Sequence, residues 1–259
     1  MPFADLPNAR IHYSFSGNAQ GPVLVLSNSL GTNFSLWDPQ TAAFERQFHL
    51  LRYDMRGHGQ SSSPPAPYSV PEFTADLLAL AAHLGVGRFH FCGLSVGGMI
   101  GMCLGLTAAS RINKLVLCNT GPSIGTVESW KTREDIVRRL GMKEVARITP
   151  DRWFTRRFQA AEPETVARMM RVVESTDPEG YIAACNAVRD YNVRSEVARI
   201  QLPALVISGA HDPATPPADG RFIAERIAGA RYVELDAAHL SNVEQADAFT
   251  REVISFLQS

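Results

Sequence analysis

The sequence predicts an α/β protein built on a doubly wound, mostly parallel sheet of about eight strands. Two observations predict it. Short β-rich runs alternate with longer helical patterns, and several of the runs, such as 23–26 and 115–117, are apolar throughout. Strands of this kind are buried on both faces of a parallel sheet, so helices must cover both faces.

Seven runs are strand candidates, and helical patterns of crossover length lie between them. The strand candidates are 11–15, 23–27, 49–53, 89–92, 114–118, 204–208 and 232–235. The main crossover helices are predicted at 70–84, 96–109, 218–227 and 241–257. This order predicts βαβ units in one domain.

Between residues 121 and 196 the strand runs stop, and helical patterns follow at 128–140, 151–159, 164–174 and 180–188. This segment carries 13 of the 25 basic and 12 of the 26 acidic residues. We therefore predict a mostly solvent-exposed helical cap at 121–196, inserted into a core formed by 1–120 and 197–259.

Composition excludes several classes of protein. The 259 residues are 45% hydrophobic and 20% charged, with a formal net charge of −1. No clustered basic face is present for a nucleic-acid partner. The uncharged stretch 91–110 contains five glycines, which favours strand, turn and helix over a membrane span. The N-terminus has no export segment, so we expect a cytoplasmic protein.

The four cysteines are predicted to be free, buried thiols. Cys92, Cys103, Cys118 and Cys185 lack metal-ligand spacing, and the first three lie in apolar segments. Cysteine in such segments behaves as a small hydrophobic residue. No metal site is expected.

The segment Gly93-Leu94-Ser95-Val96-Gly97 fits the G-x-S-x-G pattern. It directly follows a predicted strand and precedes a glycine-rich helix, which is the context of a nucleophile elbow. Glycines beside the turn allow a close backbone approach that a Cβ would obstruct. Ser95 is thus the candidate nucleophile, and a tight packing turn is the alternative.

A serine hydroxyl needs a base within hydrogen-bond reach and an acid that orients the base. Two histidines follow Ser95 in the chain, His211 and His239. His239 occupies the loop between the last strand and the C-terminal helix, at the same sheet edge as Ser95. It is therefore the candidate base.

Asp212 is the candidate acid. It lies just beyond the penultimate strand, at the carboxyl edge where open α/β sheets build their sites. The competing position, after the strand 114–118, holds Asn119, which cannot be a carboxylate. Asp236 lies too near His239 in sequence to be its usual partner.

Acyl transfer also needs donors for an oxyanion. The backbone N–H of Val96, directly after the nucleophile, is one candidate. The loop 27–32 follows a buried strand and is rich in small residues, so the Leu30 N–H is the second candidate. The loop 54–61, Asp-Met-Arg-Gly-His-Gly-Gln-Ser, is predicted to hold its own conformation rather than do chemistry.

Together, the loop 54–61, the elbow, the late acid and the late histidine resemble the α/β-hydrolase superfamily. The resemblance covers the whole chain apart from the detailed cap sequence. It implies the α/β-hydrolase fold, with the helical cap inserted after the sixth strand. The superfamily's frequent His-Gly oxyanion motif is replaced here by Asn28-Ser29, so no role of that histidine is carried over.

More narrowly, the segments 26–32, 152–154 and 211–217 look like those of 3-oxoadipate enol-lactonases. This resemblance implies hydrolysis of a small anionic enol-lactone to 3-oxoadipate through an acyl-enzyme, in protocatechuate and catechol degradation. It implies no metal and no organic cofactor. Without this resemblance, composition and spacing predict a serine hydrolase but not its substrate.

An anionic substrate needs a cation, and most basic residues here are arginines, whose planar fork suits carboxylates. We hypothesise that Arg133 binds the carboxylate, with Trp130 and Trp153 as walls over the ring. The alternative is a solvated arginine and two tryptophans of the cap core.

Other functions remain open. A carbon–carbon bond hydrolase of meta-cleavage products or a small-ester carboxylesterase would share the serine, acid and histidine. Haloalkane dehalogenases and epoxide hydrolases are disfavoured, because they use a carboxylate where this chain has Ser95. A non-catalytic binding protein on the same fold is a further alternative. The sequence leaves the oligomeric state open.

Overall fold

The computed structural model describes residues 2–259 and folds them around an eight-stranded sheet. The strands stand in the order β1-β2-β4-β3-β5-β6-β7-β8. β2 runs antiparallel to both of its neighbours, and every other pair is parallel. The strands are β1 (Phe3–Asp5), β2 (Arg10–Gly17), β3 (Val23–Ser27), β4 (His49–Tyr53), β5 (Phe89–Leu94), β6 (Ile112–Cys118), β7 (Ala204–Gly209) and β8 (Arg231–Leu235).

Helices cover both faces of this sheet. Adjacent residues of β5 enter different hydrophobic clusters, Phe91 one and Cys92 the other, as alternation along a strand requires. The helices are α1 (Asp38–Glu45), α2 (Val70–His83), α3 (Val96–Thr107), α4 (Val127–Ile148), α5 (Pro150–Trp153), α6 (Arg156–Ala161), α7 (Pro163–Glu174), α8 (Pro178–Asp190), α9 (Pro217–Arg226), α10 (Ser241–Glu244) and α11 (Ala246–Gln258). The predicted doubly wound sheet is confirmed.

All seven predicted strands are present, and the differences lie in short elements. β1 was missed because three residues are too few to show a period. α1 was missed because it buries only Gln40 and Phe44. The predicted helix 241–257 is two helices, divided at Gln245. The predicted helix 151–159 is also two helices; the second begins after Thr155, whose side chain caps it by accepting the Phe158 N–H.

Helices α4–α8 lie between β6 and β7, where the cap 121–196 was predicted. α4 is broken at Gly141, whose φ of +74° ends one helix and starts the next. The expectation of a mostly solvent-exposed cap is wrong for α8. Eight of its thirteen residues are buried, because it packs between the other cap helices and the core.

The loop after β4 is held by two buried carboxylates. Asp54 accepts the Phe34 N–H at 2.8 Å and contacts His12 Nδ1 at 2.8 Å. The Arg56 guanidinium donates to both oxygens of Asp76 on α2, at 2.6 and 2.7 Å. These contacts fix the conformation of the loop, as predicted.

The four cysteines are free and buried, as expected. The sulfurs of Cys92 and Cys118, on adjacent strands, lie 3.8 Å apart. Within residues 2–259, no helix has the length and apolar character needed to cross a membrane.

The buried pair of Arg56 and Asp76 generates a prediction about stability. Each side chain is only 4% exposed, so Asp76→Ala leaves a buried guanidinium whose remaining ion-pair partner is the half-exposed Glu72, 3.6 Å away. We expect the free energy of unfolding to fall by about 3–5 kcal/mol, measured by urea denaturation. The control is the apolar double variant Arg56→Met/Asp76→Leu, which should lose much less. A loss below about 1 kcal/mol in Asp76→Ala would contradict the prediction.

Candidate active site

Ser95 occupies a strained turn between β5 and α3. Its φ is +59° and its ψ is −114°, outside the regions that residues with a Cβ adopt easily. Hydrogen bonds hold both backbone polar groups of Ser95. Its N–H donates to the Cys118 carbonyl at 2.9 Å, and its carbonyl accepts the Thr120 hydroxyl at 2.7 Å. The predicted elbow is present.

Two glycines make this turn possible. A Cβ on Gly93 would lie 2.2 Å from the Gly97 carbonyl oxygen, and a Cβ on Gly97 would lie 2.3 Å from the Ser27 carbonyl oxygen. Real Cβ atoms do not approach backbone oxygens so closely. The first turn of α3 can therefore pack directly against the end of β3, which brings the loop of Leu30 beside Ser95.

Asp212 and His239 meet at the same sheet edge. Asp212 follows β7 and His239 follows β8, and these strands are paired in parallel, so their carboxyl ends adjoin. Asp212 Oδ2 and His239 Nδ1 lie 2.8 Å apart. Both residues are 3% exposed. The structure thus brings together the acid and the base that the sequence predicted.

The Asp212 carboxylate is saturated with donors. Oδ1 accepts the N–H groups of Ala214 at 2.8 Å and Thr215 at 3.0 Å. Oδ2 accepts the Thr215 hydroxyl at 2.6 Å and the Asn119 amide at 3.1 Å, in addition to His239. A buried carboxylate with this many donors is stable as an anion.

Two opposing effects set the acidity of Asp212. Burial raises the pKa of Asp212, but the neighbouring His239 and the hydrogen bonds from Thr215 outweigh it and hold the pKa below its ordinary value. Because the group is ionised, we assign the His239 proton to Nδ1, where it donates to Asp212. His239 Nε2 is then free to accept a proton.

Ser95 and His239 both line one small cavity of about 60 Å³ between the sheet edge and the cap. Within residues 2–259, no hydrogen bond joins the Ser95 hydroxyl to the imidazole of His239. Hydrogen bonds between a nucleophile and its base are often long before substrate binds. The lining residues are Ser29, Leu30, Gly31, Ser95, Ile124, Trp130, Arg133, Thr149, Arg152, Trp153, Val173, Tyr181, Ala214 and His239.

The two candidate oxyanion donors lie beside this cavity. Leu30 is one of its lining residues, and Val96 is the first residue of α3, whose N–H has no acceptor within its own helix. Neither N–H donates to another residue in the described part of the chain. Both are therefore free to receive an oxyanion.

The cap contributes two cations and an aromatic wall. Trp130, Arg133 and Trp153 line the cavity, where the sequence analysis expected them, and Arg152 lines it as well. Neither arginine forms an ion pair within residues 2–259; Arg133 makes only a long contact, 3.5 Å, with the Tyr181 hydroxyl. Partial burial, and then the charge of Arg133, lower the pKa of Arg152. Two like charges thus face one cavity without a counterion.

Sequence reasoning missed four residues of this site. Arg152 and Tyr181 line the cavity, and Asn119 and Thr215 donate to Asp212. Asn119 was considered only as a possible acid, and its role as an amide donor has no signature in the sequence. Arg152 belongs to the segment 152–154, which carries the resemblance to enol-lactonases and directly adjoins Trp153, and this signal could have identified it.

Comparisons with known proteins identify a family and several similar proteins. Residues 22–246 match the family described as the alpha/beta hydrolase fold. The chain is 40% identical to 3-oxoadipate enol-lactonase 2 of Acinetobacter baylyi, over 94% of this chain and 91% of that protein. It is 33% identical to 3-oxoadipate enol-lactonase 1 of the same organism, over 94% and 91% of the two chains. The crystal structure of the enol-lactonase from Burkholderia xenovorans LB400 superposes with a TM-score of 0.98, at 46% identity and with full coverage of both chains.

The strained elbow generates a prediction that separates stability from activity. Ser95→Gly removes the Cβ at φ +59°, whereas Ser95→Ala keeps it, and both remove the hydroxyl. We expect the glycine variant to be more stable than the alanine variant by about 1 kcal/mol, since the relieved strain exceeds the entropic cost of glycine. Urea denaturation of both proteins measures the difference. Equal stability, or a more stable alanine variant, would contradict strain at this turn.

Proposed function

This chain belongs to the α/β-hydrolase family, and we propose that it opens 3-oxoadipate enol-lactone with water to give 3-oxoadipate. The similarity to named enol-lactonases identifies a carboxylic ester hydrolase, as the sequence analysis expected. One observation carries the choice of an anionic lactone. Arg133 and Arg152, without acidic partners in the described chain, line the same cavity as Ser95.

The first half of the proposed reaction acylates the serine. His239 Nε2 takes the Ser95 proton while Oγ attacks the lactone carbonyl, and Asp212 stabilises the imidazolium that forms. The N–H groups of Val96 and Leu30 stabilise the oxyanion of the tetrahedral intermediate. Its collapse breaks the ring C–O bond and expels an enolate, which remains attached to the acyl-enzyme.

The second half frees the enzyme. The tethered enolate takes up, at carbon, the proton that His239 received from Ser95, which gives the ketone and leaves His239 neutral. His239 then removes a proton from a water molecule that attacks the acyl carbonyl, and the Ser95 oxygen leaves with that proton. The product carries a second carboxylate, formed from the lactone carbonyl. Every step uses groups already at the sheet edge.

The two arginines account for substrate selection in this proposal. Each guanidinium can donate a bidentate pair of hydrogen bonds to a carboxylate. A bound carboxylate also neutralises the mutual repulsion of Arg133 and Arg152, so an anion gains more from this cavity than a neutral ester. Trp130 and Trp153 supply flat apolar surface for a small ring.

The test measures the loss of ultraviolet absorbance of 3-oxoadipate enol-lactone with the purified protein. The Ser95→Ala variant and the neutral ester p-nitrophenyl acetate are measured as controls. We expect fast hydrolysis of the lactone, its loss in Ser95→Ala, and weak turnover of the acetate. Acetate turnover without lactone turnover would leave a small-ester carboxylesterase. Turnover of a meta-cleavage product instead would identify a carbon–carbon bond hydrolase.

The arginines generate a separate prediction. Arg133→Ala and Arg152→Ala should each raise KM for the lactone about 10- to 100-fold, the loss of a hydrogen bond to a charged group, with little change in kcat. Turnover of p-nitrophenyl acetate should not change. Arg139→Ala, an exposed arginine on the same helix α4, is the matched control. Equal effects on the lactone and the neutral ester would contradict carboxylate binding.

A further inference from the structure

The loop of His239 is joined to one short segment of the cap. The Leu240 N–H donates to the Trp153 carbonyl at 3.0 Å. Two residues further along the cap, the Thr155 N–H donates to Glu244 Oε2 at 3.1 Å, and the Thr155 hydroxyl donates to Glu244 Oε1. We define this set of contacts between residues 153–155 and residues 238–244 as the seam.

Glu244 holds both sides of the seam with a single carboxylate. Besides Thr155, its Oε2 accepts the Ala238 N–H at 3.1 Å. Glu244 is half-buried on the short helix α10 and forms no ion pair within residues 2–259. Its charge is stabilised by N–H and O–H donors alone, which is an arrangement suited to fixing position.

The bonds of the seam bracket His239. The residue before it, Ala238, is held by Glu244, and the residue after it, Leu240, is held by Trp153. The Leu240 bond reaches the cap directly at Trp153. The Ala238 bond reaches the cap through Glu244, which also binds Thr155. The ring itself is anchored on its other side by Asp212, 2.8 Å from Nδ1. The seam holds the backbone on both sides of His239, Asp212 holds the ring, and Asn119 donates to both the Ala238 carbonyl and Asp212.

We propose that Glu244 and Thr155 are positioning residues for His239, and that cap residues 153–155 set where its Nε2 lies relative to Ser95. The inference rests on the proposed reaction, in which His239 is the general base. Trp153 belongs to this segment and Arg152 directly precedes it, and both are proposed to contact the substrate. One stretch of the cap thus places both the substrate and the base, so the two are aligned together.

The test separates positioning from binding. Glu244→Ala should lower kcat about 10- to 100-fold, because displacement of a reacting group by about 1 Å costs that much, with KM changed by less than about threefold. The rate at which a fluorophosphonate probe labels Ser95 should fall in parallel, since labelling also needs the base. Thr155→Val should lower both rates, and Thr155→Ser, which keeps the hydroxyl, should restore them to within about threefold of wild type.

Glu225→Ala, on the exposed surface of α9, is the control for loss of a glutamate and should match wild type. Melting temperatures of all variants identify any loss of the fold, and the valine and serine variants at 155 keep the test valid if Glu244→Ala does not fold. Wild-type labelling and kcat in Glu244→Ala and Thr155→Val would overturn the inference. A raised KM with unchanged labelling would also overturn it.

Failure of the proposed function is distinguishable from failure of this inference. If wild-type protein is labelled by the probe but does not hydrolyse the lactone, the substrate assignment fails. The labelling rates of the Glu244 and Thr155 variants then still decide whether these residues position His239. If the variants are labelled like wild type while wild type hydrolyses the lactone, the inference alone fails.

Discussion

The close backbone approach at Ser95 is the constraint on which the site depends. β5, the end of β3 and the first turn of α3 meet with no room for a Cβ at Gly93 or Gly97. The strain at Ser95 is sustained because β6 and the loop that follows it bind both the N–H and the carbonyl of Ser95. A looser packing would let the turn relax to an ordinary φ, which would move the Ser95 hydroxyl relative to the free N–H of Val96.

Charge is distributed unevenly between the cap surface and the cavity. Several exposed arginines of the cap are paired with nearby carboxylates, as Arg138 is with Glu134 and Arg147 is with Glu144. Such exposed pairs contribute little to stability. Arg133 and Arg152 line the cavity of Ser95, and neither has an ion-pair partner within residues 2–259. The anion Asp212 takes its hydrogen bonds from Ala214, Thr215, Asn119 and His239, so neither arginine is bound to it.

The fold was predictable from sequence wherever an element was long enough to show a period or was buried on both faces. The apolar strands and the crossover helices were found for this reason. The short hairpin strand β1 and the polar helix α1 were not, because neighbouring elements, rather than a local pattern, determine their conformation. The buried position of α8 was also missed, since charge counted over the whole cap concealed one helix that packs inward.

The sequence by itself determined the candidates Ser95, Asp212 and His239, because each follows a recognisable strand and parallel strands bring their ends to one edge. It also indicated that the cap supplies a cation. Only the tertiary structure decided which groups surround them: Arg152 and Tyr181 in the cavity, Asn119 and Thr215 on Asp212, and Glu244 on the histidine loop. The contacts of Asn119 with Asp212, of Tyr181 with Arg133 and of Glu244 with Thr155 join residues far apart in the chain, and no local pattern encodes such a meeting.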